Sequence, residues 1–138
     1  MRYLGLDLGS RTLGIAISDK SGLIARSMKI IRHNEDYDGL ILKVKEIVEE
    51  EKVDAIVLGY PKNMNNTIGP KGKLSEEFQQ KLIEYINIPV YLQDERLSTK
   101  EATDILIMGN TSRKKRKKVI DSMAATIILQ SYLDRKGN

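Results

Sequence analysis

Asp7 has the clearest chemical potential in this chain, because the predicted strand around it is bare. Residues 3–9 alternate with a period of two, which is typical of a half-buried strand. Leucines form one face, and the other face carries Gly5, Asp7 and Gly9. Acids and glycines are both unfavourable within strands. This face therefore predicts a site where a bulky partner, such as a metal ion with a phosphate, reaches the carboxylate. The alternative is a buried acid that hydrogen-bonds to backbone.

A run of six cations is the second chemical feature, and we call it the basic block. It consists of Arg113, Lys114, Lys115, Arg116, Lys117 and Lys118. Removing these six charges from the net charge of +4 leaves −2, so the remaining chain is slightly acidic. A local basic block favours a polyanionic partner that is held through salt-sensitive phosphate contacts. The alternative is a solvated loop that only keeps the protein soluble.

Length and composition limit the possible classes of protein. The chain has 138 residues, 41% of them apolar and 30% charged, and it contains no cysteine. These values predict one soluble globular domain over residues 1–138, without disulfides or thiolate metal sites. No apolar run approaches the roughly 20 residues that cross a bilayer, and the first residues do not resemble a signal peptide. We therefore expect a cytoplasmic protein without a membrane partner.

Hydrophobic periodicity alternates between strand and helix patterns along the chain. The predicted elements are strands at 3–9, 13–18 and 25–31, a helix around 40–48, a strand at 53–58, a helix around 78–86, a strand at 89–93, a helix at 98–108 and a last helix around 120–133. The first three strands are typical of an antiparallel meander. The polar segment 62–73 is unusually long for a connection, which favours a mobile functional loop over a plain connector. Whether it closes on substrate stays open at this level.

This order of elements predicts an α/β fold. A three-stranded antiparallel meander followed by alternating helices and parallel strands is the order of the ribonuclease H-like fold, with a mixed five-stranded sheet flanked by helices. In open α/β sheets, ligands bind beyond the carboxyl ends of the parallel strands. Segments 59–61 and 94–96 lie at such ends, next to the strand that carries Asp7.

Four motifs, in order along the chain, resemble those of the YqgF family. The first combines Asp7–Gly9 with Gly14–Asp19, and the others are Gly59–Pro61, Asp94–Thr99 and Asp121–Ala125. Each motif alone is weak, but together they span nearly the whole chain. The family is described as Holliday junction resolvases and is also assigned to the maturation of the 5′ end of precursor 16S ribosomal RNA in bacteria. The resemblance implies a nuclease.

The resemblance also implies a metal site made of carboxylates, with Asp7, Glu95 and Asp121 at the matching positions. Mg²⁺ and Mn²⁺ prefer oxygen ligands, and two ions about 4 Å apart can clamp the attacking and leaving oxygens of a phosphodiester. We therefore expect Mg²⁺ or Mn²⁺ as cofactor and a two-metal mechanism. Asp7 would bridge the ions, and Glu95 and Asp121 would each complete one coordination shell.

Two of these acids have alternatives. Glu95 competes with Asp94, because adjacent residues of a strand face opposite sides. Asp121 could be an ordinary surface acid beside the basic block. However, it shares a helical face with Ala124 and Ala125, whose small side chains would let the helix approach the sheet closely.

The chain departs from related resolvases at one position. Many of those enzymes carry a second acid three residues after the aspartate of the last helix, and this chain has Ala124 there. The metal site would then depend on three protein carboxylates and more water. Asp19 or Asp94 could supply a fourth ligand.

Several residues are candidates for contact with nucleic acid. Arg11 follows the glycine turn and could touch the scissile phosphate or be solvated, and Arg96 could contact phosphate, hold Glu95 or form a surface ion pair. Tyr60 could stack on a base or pack against a helix. The basic block would hold the substrate backbone. We expect His33, the only histidine, to be a surface residue away from every motif.

Substrate and assembly stay open at this level. Precursor ribosomal RNA and a four-way DNA junction both fit, with ribosomal particles as further partners and either a monomer or a homodimer as the active form. A nucleotide-binding relative of sugar kinases and actin is one alternative, because the spacing of Asp7, Gly9, Thr12 and Gly14 resembles their phosphate-binding hairpin. A non-catalytic RNA-binding protein is another.

Overall fold

The computed structural model describes residues 1–61, 68–94 and 113–136, with side chains in the last range described from Met123 onward. The described part contains five strands and three helices. The strands are β1 (Tyr3–Leu8), β2 (Thr12–Ser18), β3 (Ala25–Arg32), β4 (Ala55–Tyr60) and β5 (Val90–Asp94). The helices are α1 (Tyr37–Glu51), α2 (Pro70–Tyr85) and α3 (Arg113–Lys136). The helix predicted at 98–108 lies outside the described residues.

The five strands form one mixed sheet in the order β3-β2-β1-β4-β5. The first three strands pair antiparallel, whereas β1, β4 and β5 run parallel to one another. This arrangement confirms the predicted mixed sheet with its antiparallel meander. It also places β1, the strand that carries Asp7, at the centre, between the antiparallel and the parallel halves.

Helices cover both faces of the sheet. The helices α1 and α2 pack on one face, where the leucines of β1 meet Leu40, Val44, Phe78 and Leu82. On the other face, α3 packs through Ala125, Ile128, Leu129 and Leu133. The apolar residues that recur at helical spacing are therefore buried in these two cores. No helix among the described residues is long and apolar enough to span a membrane.

Three predicted boundaries are wrong. The fourth strand begins at Ala55 and not at Val53, because the Val53 amide still bonds to the Val48 carbonyl at the end of α1 (3.0 Å). It also continues through Tyr60, since Gly59 and Tyr60 pair with β5. The predicted loop 62–73 is too long at its carboxyl end, because α2 already starts at Pro70. Proline is favoured at the first helical position, where no N–H is needed. Residues 62–67 lie outside the described part.

Candidate active site

Asp7 lies at the carboxyl end of β1 with glycines as its neighbours on the same face of the sheet. Along the strand these are Gly5 and Gly9. On one side, Asp7 pairs directly with Gly14 of β2. On the other side, Leu6 pairs with Leu58 in the parallel register, so one residue further Asp7 comes beside Gly59 of β4. The half-buried Asp7 carboxylate is therefore flanked in all four directions by residues without a side chain.

The face that carries Asp7 is the one that α3 covers. A Cβ atom added to Gly5 would lie 2.7 Å from Leu129 Cβ and 3.0 Å from the Ala125 carbonyl oxygen. The close approach of the helix therefore requires glycine at position 5. The prediction that Gly5 lacks a side chain in order to admit a substrate is wrong. The predicted close packing of the alanine face of the last helix is confirmed.

The described part of α3 runs antiparallel to β1. The ring of Tyr132, near the end of the helix, lies 5.8 Å from the ring of Tyr3 at the start of the strand. One step later along β1, Gly5 meets Leu129 and Ala125. Moving towards the carboxyl end of β1 therefore means moving towards the amino end of α3.

Asp121 belongs to the backbone of α3, but its side chain is not among those described. Glu95 follows β5 directly and lies outside the described residues. Within the described part of the chain, no group of three acids, histidines or cysteines could hold a metal ion. Of the three predicted ligands, only the Asp7 side chain is described.

Successive residues of β5 lie on opposite faces of the sheet beside the candidate site. Asp94 pairs with Tyr60, and the Tyr60 hydroxyl donates a hydrogen bond to Glu76 of α2 (3.0 Å). Both residues therefore belong to the α2 face, away from Asp7. Gln93 pairs with Gly59 and belongs to the α3 face, where it is buried and accepts a hydrogen bond from Arg135 (3.3 Å).

Of the two alternatives for Tyr60, stacking on a base or packing against a helix, the structure shows the second. Burial and the Glu76 carboxylate raise the pKa of the Tyr60 hydroxyl, because a second negative charge beside a carboxylate is unfavourable. Stacking of Tyr60 on a base remains a prediction that no contact in the structure supports.

Asp19 lies at the opposite end of the sheet from Asp7, because β2 runs antiparallel to β1 and the neighbouring Ser18 bonds to the Tyr3 amide (2.8 Å). Its carboxylate accepts hydrogen bonds from the Ser21 hydroxyl and from the amides of Leu23 and Ile24. These bonds hold the pKa of Asp19 well below its usual value. Asp19 therefore closes a turn, and the idea that it supplies a fourth metal ligand is wrong.

The predicted nucleic-acid contacts are described only in part. Arg11 is exposed at the turn between β1 and β2, at the same end of the sheet as Asp7. The basic block forms the first turns of α3, so it is helical and not the loop of the alternative interpretation. Its side chains, and all of Arg96, are not described.

His33 contradicts its predicted surface position. The residue is only 6% exposed, and its Nε2 atom lies 2.9 Å from the Gly9 carbonyl oxygen. The cause is the pairing of Arg32 with Thr12, which brings the next residue of the chain against the turn that follows Asp7. Sequence reasoning missed this contact because no local pattern signals the partner of a lone histidine.

A central carboxylate on this mixed sheet, facing a closely packed last helix, defines the class as a ribonuclease H-like domain. The structure of Thermus thermophilus RuvC in complex with Holliday junction substrate shares this fold, with a TM-score of 0.61 and 17% identity over 100% of this chain and 97% of that chain. The ROK hexokinase from Thermus thermophilus shares it over 79% of this chain but only 38% of its own, with a TM-score of 0.50 and 20% identity.

The family is established by sequence. The model of the family described as "RuvX: Holliday junction resolvase" matches residues 1–135. A protein from Geobacillus kaustophilus (strain HTA426), named "Putative pre-16S rRNA nuclease", is 53% identical over 137 residues, which is 99% of each chain. The chain belongs to the RuvX family, and this confirms the resemblance to YqgF proteins.

Proposed function

We propose that this chain is a metal-dependent endonuclease that cleaves structured nucleic acid, with the 5′ end of precursor 16S ribosomal RNA as its substrate. The family and the name of the Geobacillus relative support the nuclease class and this substrate. The observation that carries the proposal is the position of Asp7, a half-buried acid at the carboxyl end of the central strand, with glycines at the neighbouring positions of its own face of the sheet.

The register between α3 and β1 supports Asp121 as a second ligand. Asp7 lies two residues beyond Gly5, a distance of about 7 Å along a strand. At about 1.5 Å per helical residue, the same distance corresponds to four or five residues of α3. Counting back from the Ala125–Leu129 segment, which packs on Gly5, helix positions near 121–123 come level with Asp7. Asp121 also precedes Ala125 by one helical turn, so it shares the face that packs on the sheet.

The alternation along β5 supports Glu95 over Asp94 as the third ligand. Gln93 is on the α3 face and Asp94 on the α2 face. If the strand pattern continues for one residue, Glu95 returns to the α3 face, which is the face of Asp7. Adjacent residues of a strand cannot both serve the same side, so the pairing of Asp94 with Tyr60 supports Glu95 as the proposed ligand.

The donor set fits a hard divalent cation. Asp7, Glu95 and Asp121 offer oxygen atoms only, which are the ligands that Mg²⁺ and Mn²⁺ prefer. Gly14 and Gly59, the lateral neighbours of Asp7 in the sheet, place no side chain beside its carboxylate. When bound, such an ion supplies Lewis acidity at the scissile phosphodiester and at a water. We propose that these residues hold two ions, with Asp7 shared between them.

Cationic side chains near this site would bind the substrate backbone. Arg11 is exposed on the turn that follows Asp7, so its guanidinium is available to a phosphate next to the cleaved bond. Arg96 follows Glu95 and has the same proposed role. The basic block starts the helix that carries Asp121, and its charges would hold a flanking part of the strand. Such contacts position a substrate without reading its sequence.

The decisive experiment compares Asp7→Asn with Asp19→Asn in cleavage of a precursor 16S fragment with Mg²⁺ or Mn²⁺. Each variant removes one negative charge, but Asp19 lies at the far end of the sheet. We expect Asp7→Asn to bind the RNA and to lose cleavage by at least about 10³-fold, whereas Asp19→Asn should cleave like wild type. Turnover by Asp7→Asn at the wild-type rate would contradict the proposal.

A Holliday junction is the second candidate substrate, and the description of the family favours it. The same experiment should therefore include a four-way DNA junction beside the RNA. Preferential cleavage of the junction would replace the proposed substrate while leaving the metal site intact. Metal-independent RNA binding without cleavage of either substrate would instead support the non-catalytic alternative.

A further inference from the structure

The buried histidine connects the turn after Asp7 to the rest of the protein. Beyond the Leu8–Leu13 pair, the ladder between β1 and β2 ends. The turn that follows is closed by one backbone bond, from the Gly9 amide to the Thr12 carbonyl (2.8 Å). Two further carbonyl oxygens of the turn, those of Gly9 and Arg11, are bonded to His33.

The hydrogen bonds of His33 determine which ring nitrogen carries the proton. The Glu35 amide donates to Nδ1 (2.9 Å), so Nδ1 acts as an acceptor. In the neutral ring the other nitrogen then carries the hydrogen, and Nε2–H donates to the Gly9 carbonyl oxygen (2.9 Å). The His33 amide donates to the Arg11 carbonyl oxygen (3.0 Å). Both ring nitrogens are thus used, and the turn is held at two points.

The segment that presents His33 is itself rigidly built. Asn34 and Glu35 have φ angles of 45° and 66°, a left-handed conformation that is uncommon for residues with a side chain. The Asp36 amide donates to the His33 carbonyl (2.7 Å), and the Asp36 side chain caps α1 by accepting from the Gly39 amide (3.1 Å). Strained backbone of this kind persists only where surrounding contacts determine it, and it is frequent near functional sites.

The ring of His33 also packs into the core. It lies 5.2 Å from the ring of Tyr37, which in turn lies 6.4 Å from the ring of Phe78 in α2. The turn after Asp7 is therefore connected through His33 and two aromatic rings to the helix on the far face of the sheet.

We propose that His33 is a positioning residue for the nuclease reaction, which holds the Gly9–Thr12 turn so that Asp7 and Arg11 keep their relative places. This inference rests on the proposed nuclease function. The turn carries Arg11 and ends the strand two residues after Asp7, so its displacement would separate the proposed metal ligand from the proposed phosphate contact. Misplacement of reacting groups by about 1 Å can reduce turnover by up to about 10²-fold.

Two variants separate the contacts of His33. Glutamine has a terminal N–H group that reaches about as far as Nε2, so His33→Gln can keep the bond to the Gly9 carbonyl. Asparagine is shorter, so His33→Asn can accept from the Glu35 amide but loses the bond to Gly9. Tyr37→Leu is the matched control, because it removes the ring packing of His33 without touching either hydrogen bond to the turn.

We expect the turnover number of His33→Asn to fall about tenfold with little change in KM. His33→Gln should retain most of the activity, and Tyr37→Leu should retain turnover although it lowers stability. Equal turnover of His33→Asn and His33→Gln would overturn the positioning role while leaving the nuclease itself intact.

Hydrogen exchange of the Gly9 amide provides a readout without cleavage. This amide bonds across the turn to Thr12, so its exchange reports whether the turn is held. Exchange should accelerate in His33→Asn and not in His33→Gln, and unchanged exchange in both would refute the inference. If the wild-type protein cleaves neither RNA nor junction, the proposed function fails, and this comparison still decides whether His33 holds the turn.

Discussion

A Cβ atom on Gly5 would lie 2.7 Å from the Cβ atom of Leu129. The central strand and the last helix therefore touch through backbone, with no side chain of β1 between them at this point. The same contact aligns the two elements that carry Asp7 and Asp121. Any widening of the gap would thus move two of the three proposed metal ligands apart.

Gly5→Ala should therefore destabilise the protein more than an exposed glycine substitution would. The new methyl group would meet Leu129 Cβ and the Ala125 carbonyl oxygen at 3.0 Å, neither of which is the end of a flexible side chain. Overpacking of this kind costs about 1–3 kcal/mol. Urea unfolding measures the loss. Gly9→Ala is the control, because the nearest atoms to its Cβ atom would be the Thr12 carbonyl and hydroxyl oxygens at 3.2 and 3.3 Å. An equal loss of stability in both variants would contradict this prediction.

Gly59→Ala should reduce cleavage more than stability. Gly59 lies beside Asp7 on the face that α3 covers, so a methyl group there would occupy space that an ion or phosphate needs. We expect turnover to fall about tenfold, whereas the free energy of unfolding should change by less than about 1 kcal/mol. Steady-state cleavage and urea unfolding of the same samples measure the two effects.

Val57→Ala is the matched control for Gly59→Ala. Val57 precedes Gly59 by two residues in β4, so it lies on the same face of the sheet. It is fully buried and has no role at the proposed site. This variant should lose stability through a cavity and should keep its turnover. If turnover falls in proportion to stability in both variants, the absence of a side chain at Gly59 has no specific role in cleavage.

Asp19 should make the stability of the protein depend on pH in the acid range. Hydrogen bonds to the charged carboxylate lower its folded-state pKa from the ordinary value of 3.8. A lowered pKa means that the stabilisation is fully present well above pH 3.8 and is lost as the pH falls below that value. Wild type should therefore be more stable than Asp19→Asn at pH 7, with a difference that shrinks below about pH 4. Thermal unfolding across this range measures it, and a constant difference would refute the prediction.

Neutralising part of the basic block should weaken substrate binding without lowering stability. Its cations form the first turns of α3, the end of a helix where positive charge is unfavourable by about 0.3–1 kcal/mol per residue. Lys114→Gln with Lys115→Gln, both in the first turn, should therefore leave the melting temperature unchanged or raised. The slope of log affinity against log salt concentration should decrease by about 1–2 if both lysines contact phosphates.

The same number of charges removed elsewhere provides the control for the basic block. Lys20 and Lys45 are exposed and lie outside the candidate site, so their replacement by glutamine changes net charge alone. Fluorescence titrations at several salt concentrations should show a smaller change in slope for this pair. Equal slopes in both double variants would mean that only net charge matters.

Patterns within short segments were sufficient to predict most elements. The alternation of Leu4, Leu6 and Leu8 and the stripe from Leu40 to Val48 are local, because burial of one face requires apolar residues at the period of the element. The same local alternation identified Asp7 as an acid within a predicted strand, and so as a candidate functional residue. It failed at the start of β4, where the Val53 amide is still bonded to the end of α1. It also failed at the end of the polar loop, where α2 already begins at Pro70.

Only the tertiary structure revealed what surrounds Asp7. Gly14 and Gly59 become its lateral neighbours through strand pairing, and His33 meets the following turn because β3 ends beside β2. Gly5, which looked like part of a substrate site, turned out to be the contact point of α3. Pairing register joins residues that are far apart along the chain, and no local periodicity encodes which of them will be neighbours. The local sequence of its strand was therefore sufficient to identify Asp7 as a candidate functional residue. The residues that surround Asp7 depend on how the strands pair in the folded sheet.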